Sequence, residues 1–363
     1  MQSELLTNHM SETVLETAPP HASRDCGATS PASCRVCGSA AIHPLGEVEF
    51  HRGHAARIYH CDACGCRFSP HNPSFYEELH SQPRSSYVRY RGLADRCREL
   101  FANRDLQGLR TLLCEVPKYR MVIEALANLP PGSKVLEIGC ARGFLTSYFI
   151  LGGWQAIGVD VSADAIASAG RDFGDQFALP GSARIGQTAP YDAIFHVGTI
   201  GCVEQPVQMN RALLALLKPG GVLVFNAPNV DACVLRGQWW LDSATPPDLV
   251  TLFKPGVWSR LFKDGFEVTE AVAPGATHRN LQLRLRRLFL RVWQPPEPVE
   301  VSESATVPLR QPTLLGRAWN LWERLVVRAA LITTLADCVP KLPCEFGLFV
   351  TIRRNAVGAG SER

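Results

Sequence analysis

The chain has no apolar run long enough to cross a membrane. Its opening stretch, MQSELLTNHMSETVLE, lacks both the basic head and the apolar core of a secretory leader. A strong charge of one sign is missing as well. The 37 Lys and Arg face 34 Asp and Glu, and a net charge of +3 does not by itself call for nucleic acid or an anionic surface. No internal repeat is evident, which sets solenoid and propeller architectures aside. What remains is a chain of 363 residues, 46% hydrophobic and 20% charged, the composition of a soluble globular protein expected in the cytoplasm.

Cysteine breaks this plainness: the chain carries 13, not spaced as a small disulfide scaffold. Four of them form two knuckles, Cys34-x-x-Cys37-Gly38 and Cys61-x-x-Cys64-Gly65, separated by 23 residues. Paired CxxC thiolates suit a tetrahedral zinc ion, and the glycine after each second cysteine allows the tight turn around it. Four protein ligands saturate the ion, so the expected role is structural. Unliganded reduced thiols and a redox pair are the competing readings, and the second needs a strand–helix setting that these residues do not show. Cys26, His60 and Cys66 stand near as spare ligands.

Further along, the pattern changes to alternating strand and helix. A buried-type strand over Lys134–Ile138 runs into the turn Gly139-Cys140-Ala141-Arg142-Gly143, and a helical stretch follows over Phe144–Leu151. The next apolar strand ends on Asp160, 21 positions after Gly139. In an open α/β sheet such a turn is where a ligand binds, and a carboxylate at the next strand end can accept two ribose hydroxyls. The dinucleotide fingerprint is broken, because its second glycine is Ala141 and its third is Phe144.

Glu137-x-Gly139-x-Ala141-x-Gly143, with VLEIGC before it and GVDVS after it, resembles motif I of class I S-adenosylmethionine-dependent methyltransferases. The resemblance continues through Tyr191–His196, Leu216-Leu217-Lys218-Pro219-Gly220-Gly221 and Leu261-Phe262-Lys263-Asp264-Gly265-Phe266, covering roughly residues 115 to 270. It implies a doubly wound, seven-stranded Rossmann-like α/β sheet, here with a small N-terminal zinc ribbon and a C-terminal helical insertion. It also implies that Gly139, Cys140, Ala141 and Gly143 lie under the methionine part of the cofactor. Glu137 would help to hold that end, Asp160 would take the ribose, and Val161 would lie against the adenine. The bland alternatives are a backbone-bonded Glu137 and an Asp160 that caps the following helix.

Two departures from the family pattern stand out: Gly201-Cys202 where relatives carry Glu-His, and Leu249 where they carry histidine. No acidic residue aligns after the weakly patterned third strand to hold the adenine amino group. His196, at the end of the fourth strand, is then the candidate general base, with a role in merely lining the pocket as its alternative. Trp239 and Trp240 either wall an acceptor or pack on the sheet. The implied activity is O- or C-methylation of a small molecule. Two rivals are an RNA methyltransferase gripping nucleic acid through its ribbon, and a cofactor fold kept as a non-catalytic scaffold. Nucleic acid is the less expected partner, since the ribbon's arginines are diluted and no RNA-binding motif is present.

The expected organisation is a disordered segment at 1–30, the ribbon at 31–80, a helical connector at 81–130 and the cofactor-binding core at 131–275. An amphipathic helical insertion at 276–345 and a closing strand with its tail at 346–363 complete the chain. Relatives end in an antiparallel strand pair, which residues 267–272 and 348–352 would supply. The insertion, LQLRLRRLFLRVW and LLGRAWNLWERLVVRAALITTL, reads as a lid or a homodimer contact. A peripheral membrane surface is the third reading of the same amphipathic pattern.

Overall fold

The computed structural model describes residues 31–50, 54–70, 86–234, 238–241, 246, 248–272 and 347–355. The segments expected to be disordered at 1–30 and helical at 276–345 lie outside the described residues, as does the end of the ribbon at 71–80.

In chain order the elements begin with β1 (Ile42–Phe50), β2 (His54–Cys61), β3 (Arg67–Phe68), α1 (Ser86–Ala102), α2 (Leu106–Cys114), α3 (Pro117–Ala125), β4 (Lys134–Ile138), α4 (Phe144–Leu151), β5 (Gln155–Val159) and α5 (Ala163–Phe173). They continue with β6 (Phe177–Ala178), α6 (Ala183–Thr188), β7 (Tyr191–His196), α7 (Pro206–Ala215), β8 (Leu217–Pro228), α8 (Val230–Val234), β9 (Thr251–Leu252), α9 (Val257–Leu261), β10 (Phe266–Val272) and β11 (Gly347–Arg354).

Seven strands form one sheet in the order β10-β11-β8-β7-β4-β5-β6. Strands β8, β7, β4, β5 and β6 are parallel, and β11 runs antiparallel to both β8 and β10. The closing pair expected from sequence is present, with Val268 opposite Ile352 and Val272 opposite Leu348. From β4 the chain winds outward through β5 and β6, then returns to β7 on the other side. The ends of β4 and β7 therefore border the crevice at which such sheets bind ligands.

Alternation along the strands divides the core into two layers. Val135, Ala193, Phe195, Val222 and Val224 share one cluster with helices α1 to α5. Leu136, Ile138, Ile194, Leu223 and Phe225 face the opposite cluster with α7 and α9. Helix α4 is buried on nearly every side, from Phe144 through Phe149, because the sheet lies below it and α1 and α2 cover it. This is why its sequence shows no polar stripe. Each fully buried Leu, Ile or Phe of these layers contributes about 1.5–3 kcal/mol.

The ribbon is not freestanding. Its sheet has the order β1-β2-β3-β9, and its fourth strand comes from the far end of the large domain. Arg67 pairs with Leu252 and Phe68 with Thr251. The two tryptophans considered for an acceptor wall serve this junction. Trp240 is buried with Ile58 and Leu252, and the Trp239 ring fills the space a side chain would need at Gly46.

Candidate functional site

The turn after β4 is built from three residues in left-handed conformation: Gly139 (φ 73°), Ala141 (φ 47°) and Gly143 (φ 76°). Gly139 and Cys140 both donate their N–H to Val159 O, at 2.7 and 3.0 Å, tying the turn to the end of β5. Gly143 is required twice over. A Cβ there would be strained at this φ and would strike the Phe177 ring, with Cζ 2.6 Å away. Ala141 has no such sterically permissive backbone and adopts the strained conformation all the same. Its N–H donates to Asp160 Oδ2 at 2.8 Å, so the carboxylate at the end of β5 holds the turn in place.

Asp160 accepts a second bond, from Ser162 N at 2.9 Å through Oδ1. It is not the helix cap. Ser162 is, with its side chain accepting from Ala165 N. Both carboxylate oxygens keep lone pairs for a ligand on the open side. Beside them, Val161 is 57% exposed and Leu179, after β6, is 44% exposed; with Val234 they are the exposed large hydrophobics among the described residues. Two of those three stand just beyond the ends of the paired strands β5 and β6. The position after β6 is this apolar leucine.

Glu137 points from β4 into the α4 layer and is 4% exposed. Thr146 of α4 donates its hydroxyl to Glu137 Oε2. Burial pushes the carboxyl up to about 7, against the pull of its Thr146 hydrogen bonds, and the Lys118 ammonium opposes the rise more weakly than Asp160 abets it. Lys118 itself reaches over the end of β7: its Nζ lies 3.3 Å from where a Cβ of Gly198 would stand. Neither Thr146 nor Lys118 was visible as a site residue in sequence.

His196 is fully buried and lies in the layer opposite the turn. Its Nε2 donates to Asn210 Oδ1 of α7 at 3.0 Å, and its ring stacks on Phe225 with centroids 4.7 Å apart. Burial holds its pKa down to about 4, so the ring is neutral. The half-buried Cys202 donates its thiol to Gly198 O at 3.4 Å, and desolvation pushes its pKa up to about 12. The two departures from the family pattern are neighbours in space, since Leu249 Cδ1 occupies the volume a side chain at Gly201 would need. Where an acid and histidines were expected, the chain has one close apolar contact.

At the ribbon, the Sγ atoms of Cys34, Cys37, Cys61 and Cys64 all lie within 4.8 Å of one another. The Cys34–Cys64 and Cys37–Cys61 sulfurs are 3.7 and 3.5 Å apart. Four sulfurs about 2.3 Å from a tetrahedral zinc would stand roughly 3.8 Å from each other, so the spacing fits. The knuckles match in backbone too: Gly38 N donates to Cys34 O at 2.8 Å and Gly65 N to Cys61 O at 2.7 Å. Val36 N donates to Cys34 Sγ, stabilising the charge a bound thiolate would carry. Without a metal, the hydrogen bond to Cys64 and then burial hold the Cys34 thiol protonated.

Residues 109–271 match the family model described as a methyltransferase domain. The matched segment runs from α2 to β10 and takes in the turn after β4 and the end of β5 described above. Over 119 residues the chain is 34% identical to protein-L-isoaspartate O-methyltransferase 1 of Arabidopsis thaliana, covering 28% of this chain and 49% of that protein. It is 26% identical over 171 residues to a ubiquinone biosynthesis O-methyltransferase of Methylococcus capsulatus, covering 43% and 72%. Against the first of these the chain spans about half the relative's length. Among solved structures, the plantazolicin methyltransferase BpumL in complex with SAH aligns over 77% of this chain and 93% of its own, at 14% identity and a TM-score of 0.37.

Proposed function

We propose that the protein transfers a methyl group from S-adenosylmethionine to a small-molecule acceptor, by O- or C-methylation. One observation carries this reading: the Asp160 carboxylate holds the left-handed Gly139–Gly143 turn, and exposed apolar side chains stand at the ends of the neighbouring strands β5 and β6. A ligand with a flat apolar base next to a sugar diol fits that arrangement, and Val161 with Leu179 would cover the two sides of the base. Gly139, Cys140, Ala141 and Gly143 would lie under the methionine portion, and Asp160 would accept the ribose hydroxyls. Glu137 supports the turn from below through Thr146 and stands ready to face the cofactor's ammonium.

The bound cofactor supplies a methyl group on a positively charged sulfur; the protein's part is to align the acceptor and exclude water. The loops after β7 and β8, residues 198–204 and 228–231, wall the acceptor side. We assign His196 a packing role, because its only nitrogen with a partner among the described residues is bonded to Asn210 and no part of the ring is exposed. Gly201 and Leu249 supply no ionisable group, and the charged side chains that bear on Cys202 beside them are Asp248 and Lys118.

Cys34, Cys37, Cys61 and Cys64 hold a structural zinc ion in this reading. Four reduced thiols agree with a cytoplasmic setting. Among the described residues no helix is long and apolar enough to cross a membrane.

The deciding experiment is calorimetric titration of metal-assayed protein with S-adenosylmethionine and S-adenosylhomocysteine, repeated on Asp160→Ala. Micromolar binding lost in the variant, with one zinc per chain, is the expected outcome. A folded, zinc-loaded protein that binds neither compound would sink the reading.

A further inference from the structure

We propose that the ribbon's metal sets the geometry of the acceptor side of the site and leaves the cofactor side untouched, through a strap formed by residues 248–254. The proposal rests on the assignment above of the loops after β7 and β8 to the acceptor.

One edge of the strap belongs to the ribbon. Thr251 and Leu252 pair with Phe68 and Arg67, and Ser69 N donates to Val250 O at 2.9 Å. Lys254 N donates to Cys66 Sγ at 3.4 Å, two residues beyond the knuckle cysteine Cys64. The Arg260 guanidinium donates to Cys64 O at 3.2 Å. The other edge belongs to the strand-end loops. Val250 N and Thr251 N both donate to Gly201 O, at 2.8 and 3.0 Å. Phe253 N donates to Pro228 O at 2.8 Å, Val230 N returns a bond to Phe253 O at 3.0 Å, and Lys254 Nζ reaches Asp231 Oδ1 at 2.6 Å. Val250, Thr251, Leu252 and Phe253 are fully buried between the two edges.

The turn itself is tied to Val159 O and Asp160, within β4, β5 and their connections, and the 198–204 loop meets it only from the side, where the Thr199 hydroxyl donates to Ile138 O at 3.2 Å. None of those bonds touches the strap.

The ribbon cannot hold its edge by apolar packing alone. Apart from its cysteines, the residues 31–50 and 54–70 bury only Val36, Ile58, Tyr59 and Phe68 as large apolar or aromatic groups. A module this small needs its metal to stay folded. Releasing the ion therefore frees β3, β9 loses its partner, and residues 198–204 and 228–231 lose the strap that positions them. The metal acts as a positioning element for the acceptor wall, one step removed from the chemistry.

Amide hydrogen exchange read by mass spectrometry tests this on the full zinc-loaded chain and on the same protein stripped by a chelator. Peptides covering 198–204 and 248–254 are expected to exchange at least ten-fold faster without the metal. Peptides covering 134–143 should stay within about two-fold, as should the affinity for S-adenosylhomocysteine. Equal loosening of 134–143, global loss of protection, or unchanged exchange at 198–204 would each overturn the proposal. Lys254→Met provides a milder cut: it removes the Asp231 bond and keeps all four thiols. Faster exchange at 228–231 with full zinc content supports the strap, and no change there refutes it. Failure of the loaded wild type to bind S-adenosylhomocysteine would remove the methyltransfer reading, while the exchange comparison would still decide the coupling.

Discussion

Glu137 offers a sharp test of how the site is built. Its carboxyl is buried beneath the turn, and burial lifts it from 4.5 to about 7. A carboxyl whose folded pKa lies above its unfolded value leaves the fold at full stability below the unfolded pKa. That stability is then lost as pH rises through the folded pKa. With 1.36 kcal/mol per pH unit, the loss between pH 5 and pH 8 comes to about 2–3 kcal/mol. Glu137→Gln keeps an oxygen for the Thr146 hydroxyl and cannot ionise. The stability difference between variant and wild type should therefore grow by about 2–3 kcal/mol over that interval, or about 1 M in urea midpoint.

The wild-type curve alone will not show this effect. His196 is buried neutral with its pKa held down to about 4, so its contribution is full above about 6.5 and is lost as pH falls toward 4. The two slopes oppose each other over nearly the same range, and only the difference between variant and wild type separates them. The cofactor adds a second measurement. If its ammonium settles near Glu137, binding at pH 7 must ionise a carboxyl that is about half protonated. Titration of S-adenosylhomocysteine in two buffers of different ionisation enthalpy should then report release of about half a proton, absent in Glu137→Gln. A pH-independent stability difference, or the same proton release in both proteins, would refute the argument.

Asp160→Ala removes the acceptor of the Ala141 N–H at an exposed turn where water can take its place, so stability should fall by no more than about 1 kcal/mol. The affinity for S-adenosylhomocysteine should fall more than ten-fold while circular dichroism stays native. Gly143→Ala meets both a left-handed φ of 76° and the Phe177 ring. It should lower stability by at least about 1–2 kcal/mol in thermal unfolding, and Phe177→Leu in the same chain should recover part of that loss. His196→Phe should keep cofactor affinity within about two-fold and abolish about 3 kcal/mol of acid-side destabilisation between pH 6.5 and pH 4. A large loss of turnover in that variant, with affinity intact, would restore His196 to the chemistry.

The parts of this molecule that were legible in sequence are those whose signal is local. Strand β4, its turn and α4 occupy consecutive residues, and a strand buried on both faces gives way to a mostly apolar helix that the sheet and two helices enclose. The knuckles are equally local, each a Cys-x-x-Cys-Gly whose spacing alone implies the turn. Thr146 was missed because a threonine inside an apolar helix carries no mark of the carboxylate across from it. Leu179 was missed because β6 is only two residues long and has no period to read. The helix cap went to Ser162, not Asp160, although both types are good caps. The backbone turns into α5 at Ser162, and the Asp160 carboxylate is occupied in holding Ala141 and Ser162.

The largest gap between sequence and structure is the junction of ribbon and core, and the physics of short strands explains it. β3 and β9 are two residues each, too short to announce themselves and too short to persist alone. They exist because each supplies the other's backbone partners and because both are fully enclosed at Phe68, Thr251 and Leu252. A buried backbone must find partners somewhere, and here the nearest ones lie on a strand far along the chain. The same mutual dependence is what would let the knuckle cysteines bear on the loops after β7 and β8, through the bonds of Cys66 and Cys64 to Lys254 and Arg260. Reading the CxxC pairs as an independent domain would have hidden that connection, because the fourth strand of the ribbon is also the strap over Gly201 and Pro228.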